Sequence, residues 1–219
     1  MAGRVPAYVA RFCLPLIAAA CATAAPAQDA VRARQNIEYR LIAPQPVDSG
    51  GKIEVIEFFW YGCPFCNDLQ PALEGWLRRK PADVVLRRVP AILRDSWAPH
   101  ARIYFTLELL GEAERLHRKV YDGYHLEALH LTEPDVLEQW AVRNGIDRSR
   151  WLDAYRSPEV AARVARASQS TQRYEVTVTP SLVVDGRYLT SSGMTGDVGS
   201  VIPVVEDLVR LARQKRGDK

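Results

Sequence analysis

The stretch EVIEFFWYGCPFCNDLQ, Glu54 to Gln70, runs an apolar segment straight into two cysteines two residues apart, with an acid, Glu57, inside the apolar run. Ile53 to Phe59 reads as a strand covered on both faces, because Val55, Ile56, Phe58 and Phe59 leave no polar side to the segment. From Cys63 the pattern turns helical, with Leu69, Leu73, Trp76 and Leu77 on one face. Pro71 lies inside that helix, has no N–H to donate and predicts a kink. Val84 to Val89 reads as a further strand, so strand, helix and strand follow one another as in a right-handed βαβ unit opening a parallel sheet.

Working outward, Ile37 to Ile42 reads as a short strand ahead of the turn-rich APQPVDSGGK, Ala43 to Lys52. After Val89 the alternation stops. Residues 91–173 hold no good strand candidate but four helical stretches: Ala98 to Leu110, Ala113 to Tyr124, Glu133 to Asn144 and Pro158 to Ser170. Thr132 is placed to cap the third, with Glu133 and Asp135 favoured by the dipole in its first turn. Beyond them TPSLVVDGRYLT, Thr179 to Thr190, offers two β runs across Asp185-Gly186, a dipeptide suited to tight hairpins. Val201 to Gln214 is a last amphipathic helix.

The beginning of the chain reads as a cleaved secretory signal over residues 1–27, since Arg4 and Arg11 precede an apolar run from Phe12 and Ala25-Pro26-Ala27 forms a small-x-small site. An uncleaved anchor is the alternative, but the apolar run is short against the roughly 20 residues needed to span a bilayer. Cleavage takes Cys13 and Cys21 with it and leaves Cys63 and Cys66 as one close thiol pair, too few for a disulfide scaffold. It also leaves a net charge of +1, with 27 Lys and Arg against 26 Asp and Glu, which points to neither nucleic acid nor an anionic membrane as partner.

A Cys-x-x-Cys that follows a strand and opens a helix puts the first sulfur at the helix N-terminus, where unpaired N–H groups and the dipole favour a thiolate. Cys63 is then the candidate nucleophile. Cys66, one turn deeper, is placed to resolve a mixed disulfide, and Pro64 limits the flexing of the loop. Two plainer alternatives are a zinc half-site and a purely structural disulfide. Zinc wants four ligands, and His100, His117, His125 and His130 show no paired metal spacing. A disulfide closing so short a loop constrains the unfolded chain little.

The segment IEFFWYGCPFC, Ile56 to Cys66, resembles the active-site segment of the bacterial DsbA family of thiol:disulfide oxidoreductases. The resemblance implies an α/β, thioredoxin-like fold with an inserted helical domain, here residues 28–90 and 172–219 with 91–171 inserted. It also implies a cis-proline strand facing the thiols, which TVTPSLVV supplies through Thr179-Pro180. Thr179 would then pair its backbone with an extended substrate chain. Glu57, six residues before Cys63, matches a buried acid that moves protons to or from the second sulfur, and Arg94 and His100 are candidates by region for its basic partner.

An acidic first cysteine and a strong oxidant are known of DsbA itself and are carried over from it. The resemblance further implies a periplasmic protein that introduces disulfides into exported polypeptides, uses the Cys63–Cys66 disulfide with no added cofactor and no metal, and is reoxidised by a DsbB-type membrane oxidase. A reductase or isomerase on the same scaffold, or a redox-inactive holdase, are the rivals. Phe65 stands where many relatives carry histidine in the loop, so Pro64-Phe65 sets the redox tuning apart. Phe65 is also expected at the surface.

Overall fold

The computed structural model describes residues 32–47 and 49–218 together with Met1 and Gly3, so the leader assigned to residues 1–27 otherwise lies outside the described residues. Among the described residues five strands form one mixed sheet: β1 (Arg40–Leu41), β2 (Ile53–Phe59), β3 (Val84–Pro90), β4 (Ser181–Val184) and β5 (Tyr188–Ser191), in the order β1-β5-β4-β2-β3. Only β2 and β3 run parallel, joined through helix α1 (Pro64–Arg79). β2 is buried at all seven positions; its apolar residues fill both faces, and the two acids among them, Glu54 and Glu57, are each paired with an arginine of β3. Ile53 and Val55 join a core with Leu69, Leu73 and Trp76 of α1 and the buried face of the final helix, while Ile56 and Phe58 join the second core.

That second core is built by the helices between β3 and β4: α2 (Ala98–Leu109), α3 (Ala113–His125), α4 (Pro134–Arg143), α5 (Arg148–Tyr155) and α6 (Pro158–Arg173). A short α7 (Ser192–Thr195) follows β5, and α8 (Val201–Gly217) closes the chain. The hairpin between β4 and β5 turns at Asp185 (φ 54°) and Gly186 (φ 62°), the positive-φ pair that makes Asp-Gly the fitting dipeptide. Among the described residues no helix is long and apolar enough to cross a membrane.

Three local expectations are corrected. The strand expected over Ile37 to Ile42 shrinks to Arg40–Leu41, because residues 36–38 form a turn with Asn36 at φ 63°. Thr132 does not cap α4: Glu133 is the N-cap, and Pro134 occupies the first turn, where its missing N–H costs nothing. Helix α5 is additional; its start is marked by Asp147, whose side chain accepts from the Arg150 N–H. Helix α1 continues through Pro71. The Asn67 carbonyl, which Pro71 cannot reach with a hydrogen bond, instead accepts from Arg118 Nη1 of α3 at 3.3 Å.

Candidate redox site

Cys63 is the N-cap of α1, in extended backbone (φ −90°, ψ 118°), with Pro64 in the first turn. The helix therefore starts with its free N–H groups around the Cys63 sulfur, and the Cys63 carbonyl accepts the first helical bond from Asn67 N–H at 3.1 Å. Both cysteines are thiols here. Their surroundings separate them. Cys63 keeps 7% of its surface, whereas Cys66 keeps none. The Cys63 pKa is pulled down to about 6, first by the hydrogen bond from the Cys66 thiol and then, against burial, by the Thr179 side chain and the N–H groups of Cys66 and Phe65. Burial pushes the Cys66 thiol well above its ordinary range, and the neighbouring Cys63 adds to the shift.

The strand register brings the opposite wall to these thiols. β4 pairs with β2 through Phe58↔Ser181 and Glu57↔Leu182, which sets residues 179 and 180 beside the end of β2, where the chain turns toward Cys63. The Thr179–Pro180 peptide is cis, and the Thr179 carbonyl lies 3.3 Å from Cys63 Sγ, within reach of the thiol proton. Phe65 projects from the loop with 57% of its surface exposed, the apolar outer edge of the site.

Beneath the helix, Glu57 is fully buried. Its carboxylate accepts from Arg88 Nε at 3.1 Å and from Gln70 Nε2 at 2.8 Å. Burial raises its pKa above the ordinary carboxylate value, opposed by the Arg88 charge and the Gln70 bond. Arg88 sits at the register position of Glu57 on the adjacent parallel strand. The two candidates taken from the region do other things: Arg94 lies over the Trp97 ring at 5.7 Å, and His100 is buried against Trp60 and Tyr124. Sequence reasoning missed Arg88 and Gln70; the parallel pairing of Glu54-to-Phe59 with Val85-to-Pro90 is the signal that finds the first.

The residues just ahead of Cys63 are packed tightly. Trp60 stacks on Trp97, with ring centroids 4.2 Å apart and planes within 2°. Gly62 admits no side chain, since a Cβ there would collide with the Trp60 ring. Tyr61 is buried at 1% exposure. Among the described residues no group of three or more His, Cys, Asp or Glu side chains could hold a metal ion.

A thioredoxin-like sheet with a helix-capping Cys-x-x-Cys of split acidity, faced by a cis-proline, defines a thiol:disulfide oxidoreductase. Residues 54–197 match the family model described as DSBA-like thioredoxin domain. The chain is 37% identical to the thiol:disulfide interchange protein DsbA of Bordetella parapertussis over 204 residues, 91% of this chain and 96% of that protein. It is 32% identical to the Pseudomonas aeruginosa protein of the same name over 190 residues, 87% of this chain and 89% of that one. The crystal structure of Pseudomonas aeruginosa DsbA superimposes with a TM-score of 0.80 at 31% identity, covering 84% of this chain and 97% of that one. DsbA from Xylella fastidiosa gives a TM-score of 0.75 at 30% identity, over 81% and 96%. The chain belongs to the DsbA-like thioredoxin-domain family.

Proposed function

We propose that this oxidoreductase works as an oxidase in the periplasm, after export on a cleaved leader over residues 1–27, and introduces disulfides into exported polypeptides. The observation that carries the reading is the placement of Cys63 at the N-cap of α1 with Cys66 sealed beneath it, which pulls the first thiol down to about 6 and pushes the second well above its ordinary value. A pair whose reduced form is stabilised as a thiolate takes electrons readily.

A client thiolate attacks Cys63 Sγ of the Cys63–Cys66 disulfide, forming a mixed disulfide and expelling Cys66, whose high pKa makes it a poor leaving group unless a proton is supplied. Glu57 is our candidate for that proton transfer, because its raised pKa keeps protonation within reach and Gln70 ties it to the helix turn of Cys66. The client's second thiolate then attacks the client sulfur and expels Cys63 as a stable thiolate. Two electrons pass from the client to the pair, and the client leaves with its disulfide. Thr179, through its backbone beside Pro180, would hold the extended client chain, with Pro64 and Phe65 tuning the pair.

The division into a thioredoxin-like unit of residues 28–90 and 172–219 and an insertion of residues 91–171 belongs to the same reading. Turnover requires reoxidation, for which a DsbB-type quinone-linked membrane oxidase is the proposed partner. Equilibration with glutathione buffers, followed by alkylation, measures the reduction potential. A potential clearly above thioredoxin's, near −270 mV, with the reduced form at least as stable as the oxidised one, fits the oxidase. A thioredoxin-like potential with the oxidised form the more stable would hand the role to a reductase. Refolding assistance that survives the double variant Cys63→Ala/Cys66→Ala would instead make the protein a holdase.

A further inference from the structure

Tyr61, two residues before Cys63, is held by two histidines of one helix, and nothing in the thiol chemistry above uses either of them. Residues 60–63 form a turn closed by the Cys63 N–H, which donates to the Trp60 carbonyl at 3.0 Å. Inside that turn the Tyr61 carbonyl lies 2.8 Å from His125 Nε2. A carbonyl only accepts, so His125 carries its proton on Nε2 and donates it. The Tyr61 hydroxyl and His117 Nδ1, 2.9 Å apart, share a second hydrogen bond. His117 and His125 both belong to α3, eight residues apart and on the side of the helix that faces the turn.

The same helix holds the other flank of Cys63. Arg118, next to His117, donates to the Asn67 carbonyl that Pro71 leaves free in the opening turns of α1. α3 thus grips the chain two residues before the first thiol and again four residues after it. Histidine chemistry also suits the position. His117 is held neutral, by burial first and by the nearby Arg88 and Arg118 charges, so it adds no charge to the core and stays a hydrogen-bonding ring.

We propose that His125, seconded by His117, is a positioning residue of the redox reaction: by holding Tyr61 it fixes the turn that presents the Cys63 sulfur, and so couples the helical insertion to the reactivity of the first thiol. The proposal rests on Cys63 being the reacting thiol. Its physical content is that the turn and the first turn of α1 share Cys63, so a slack Tyr61 carbonyl lets the N–H groups of Phe65 and Cys66 swing off the sulfur they stabilise.

The test uses the full chain with His125→Leu, which keeps bulk and removes the donor, His125→Gln, whose amide can still donate, and Tyr61→Phe, which removes only the His117 bond. Three quantities are read on each: the Cys63 ionisation midpoint by thiolate absorbance, the rate of exchange with a dithiol peptide at saturation, and the melting temperature. His125→Leu is expected to raise the midpoint by about half a unit or more and to slow exchange about tenfold. His125→Gln should recover most of both, and Tyr61→Phe should fall between. Lowered melting temperatures with midpoint and exchange rate unchanged in both His125→Leu and Tyr61→Phe would reduce the histidines to ordinary packing and overturn the proposal. The underlying reading is tested separately, by mapping which cysteine limiting iodoacetamide labels in the unsubstituted protein; label on Cys66 overturns that reading, and the proposal with it.

Discussion

Gln70 donates to Glu57 across the boundary between helix and sheet, Nε2 to Oε1 at 2.8 Å, and the same amide reaches the Cys66 carbonyl at 3.3 Å. One side chain therefore links the buried acid to the helix turn that carries the second thiol. If Glu57 moves the proton at Cys66, Glu57→Gln slows the steps that expel or reprotonate Cys66 by on the order of 10- to 100-fold at neutral pH. The Cys63 midpoint and peptide affinity should stay close to wild type. Stopped-flow exchange at several pH values checks this, and unchanged rates would assign Glu57 to structure alone.

The acidity of Cys63 sets a pH dependence that belongs to the reduced protein only. A thiol whose folded pKa is depressed, here to about 6, gives stability that is fully present above its unfolded value and is lost as pH falls through about 6. His100, lowered to about 4 by burial, acts differently: it destabilises on acidification below its unfolded value, and it does so in both redox forms alike. The difference between reduced and oxidised melting temperatures therefore isolates Cys63 and should shrink between pH 8 and pH 5. Correspondingly, the reduction potential should fall by about 59 mV per pH unit below the midpoint and by about 30 mV above it, as one proton fewer accompanies two electrons.

Arg88 is the counter-charge of a carboxylate with no exposed surface. Replacing it in Arg88→Met leaves Glu57 buried without a cation, which should cost about 3 kcal/mol of unfolding free energy at pH 7. Glu57 answers by holding its proton to higher pH, so the loss should be smaller at pH 5. Urea titrations at the two pH values give both numbers, and equal losses would mean that Glu57 is already neutral at pH 7.

Phe65 can neither donate a hydrogen bond nor carry charge beside the Cys63 thiolate. Phe65→His is expected to lower the Cys63 midpoint and raise the potential, with each tenfold change in the redox equilibrium worth about 30 mV. Glutathione equilibration of the two proteins side by side reads the shift; a potential that does not move would place the tuning elsewhere in the loop.

What could be read in the sequence was what periodicity and turn chemistry encode locally. The β2 run, the Cys-x-x-Cys at the mouth of α1, the Asp-Gly hairpin and four of the inserted helices all carry such signals. Helix α5 was missed because only Trp151 and Ala154 of its eight residues are buried, too few to show a stripe. Ile37 looks like a strand residue but is exposed in the turn between Asn36 and Glu38, so that only Arg40 and Leu41 of the expected strand pair with β5. At the site, Cys63, Cys66, Phe65 and Pro180 lie on one short motif or one dipeptide. Arg88, Gln70, His117 and His125 matter only once β2 has met β3 and α3 has folded over the loop, contacts of 13 to 64 residues' separation that no single window holds.

The Trp60–Trp97 stack is tied to the thiols through the Trp60 backbone, which accepts from the Cys63 N–H and also bears on the Cys66 sulfur. A disulfide close to an indole quenches its emission more strongly than a thiol pair does. The protein thus carries a built-in optical gauge of its own oxidation state, one ring in the turn and its partner at Trp97, ahead of α2. Each turnover should register as a rise and fall of tryptophan fluorescence, without a dye and without a label.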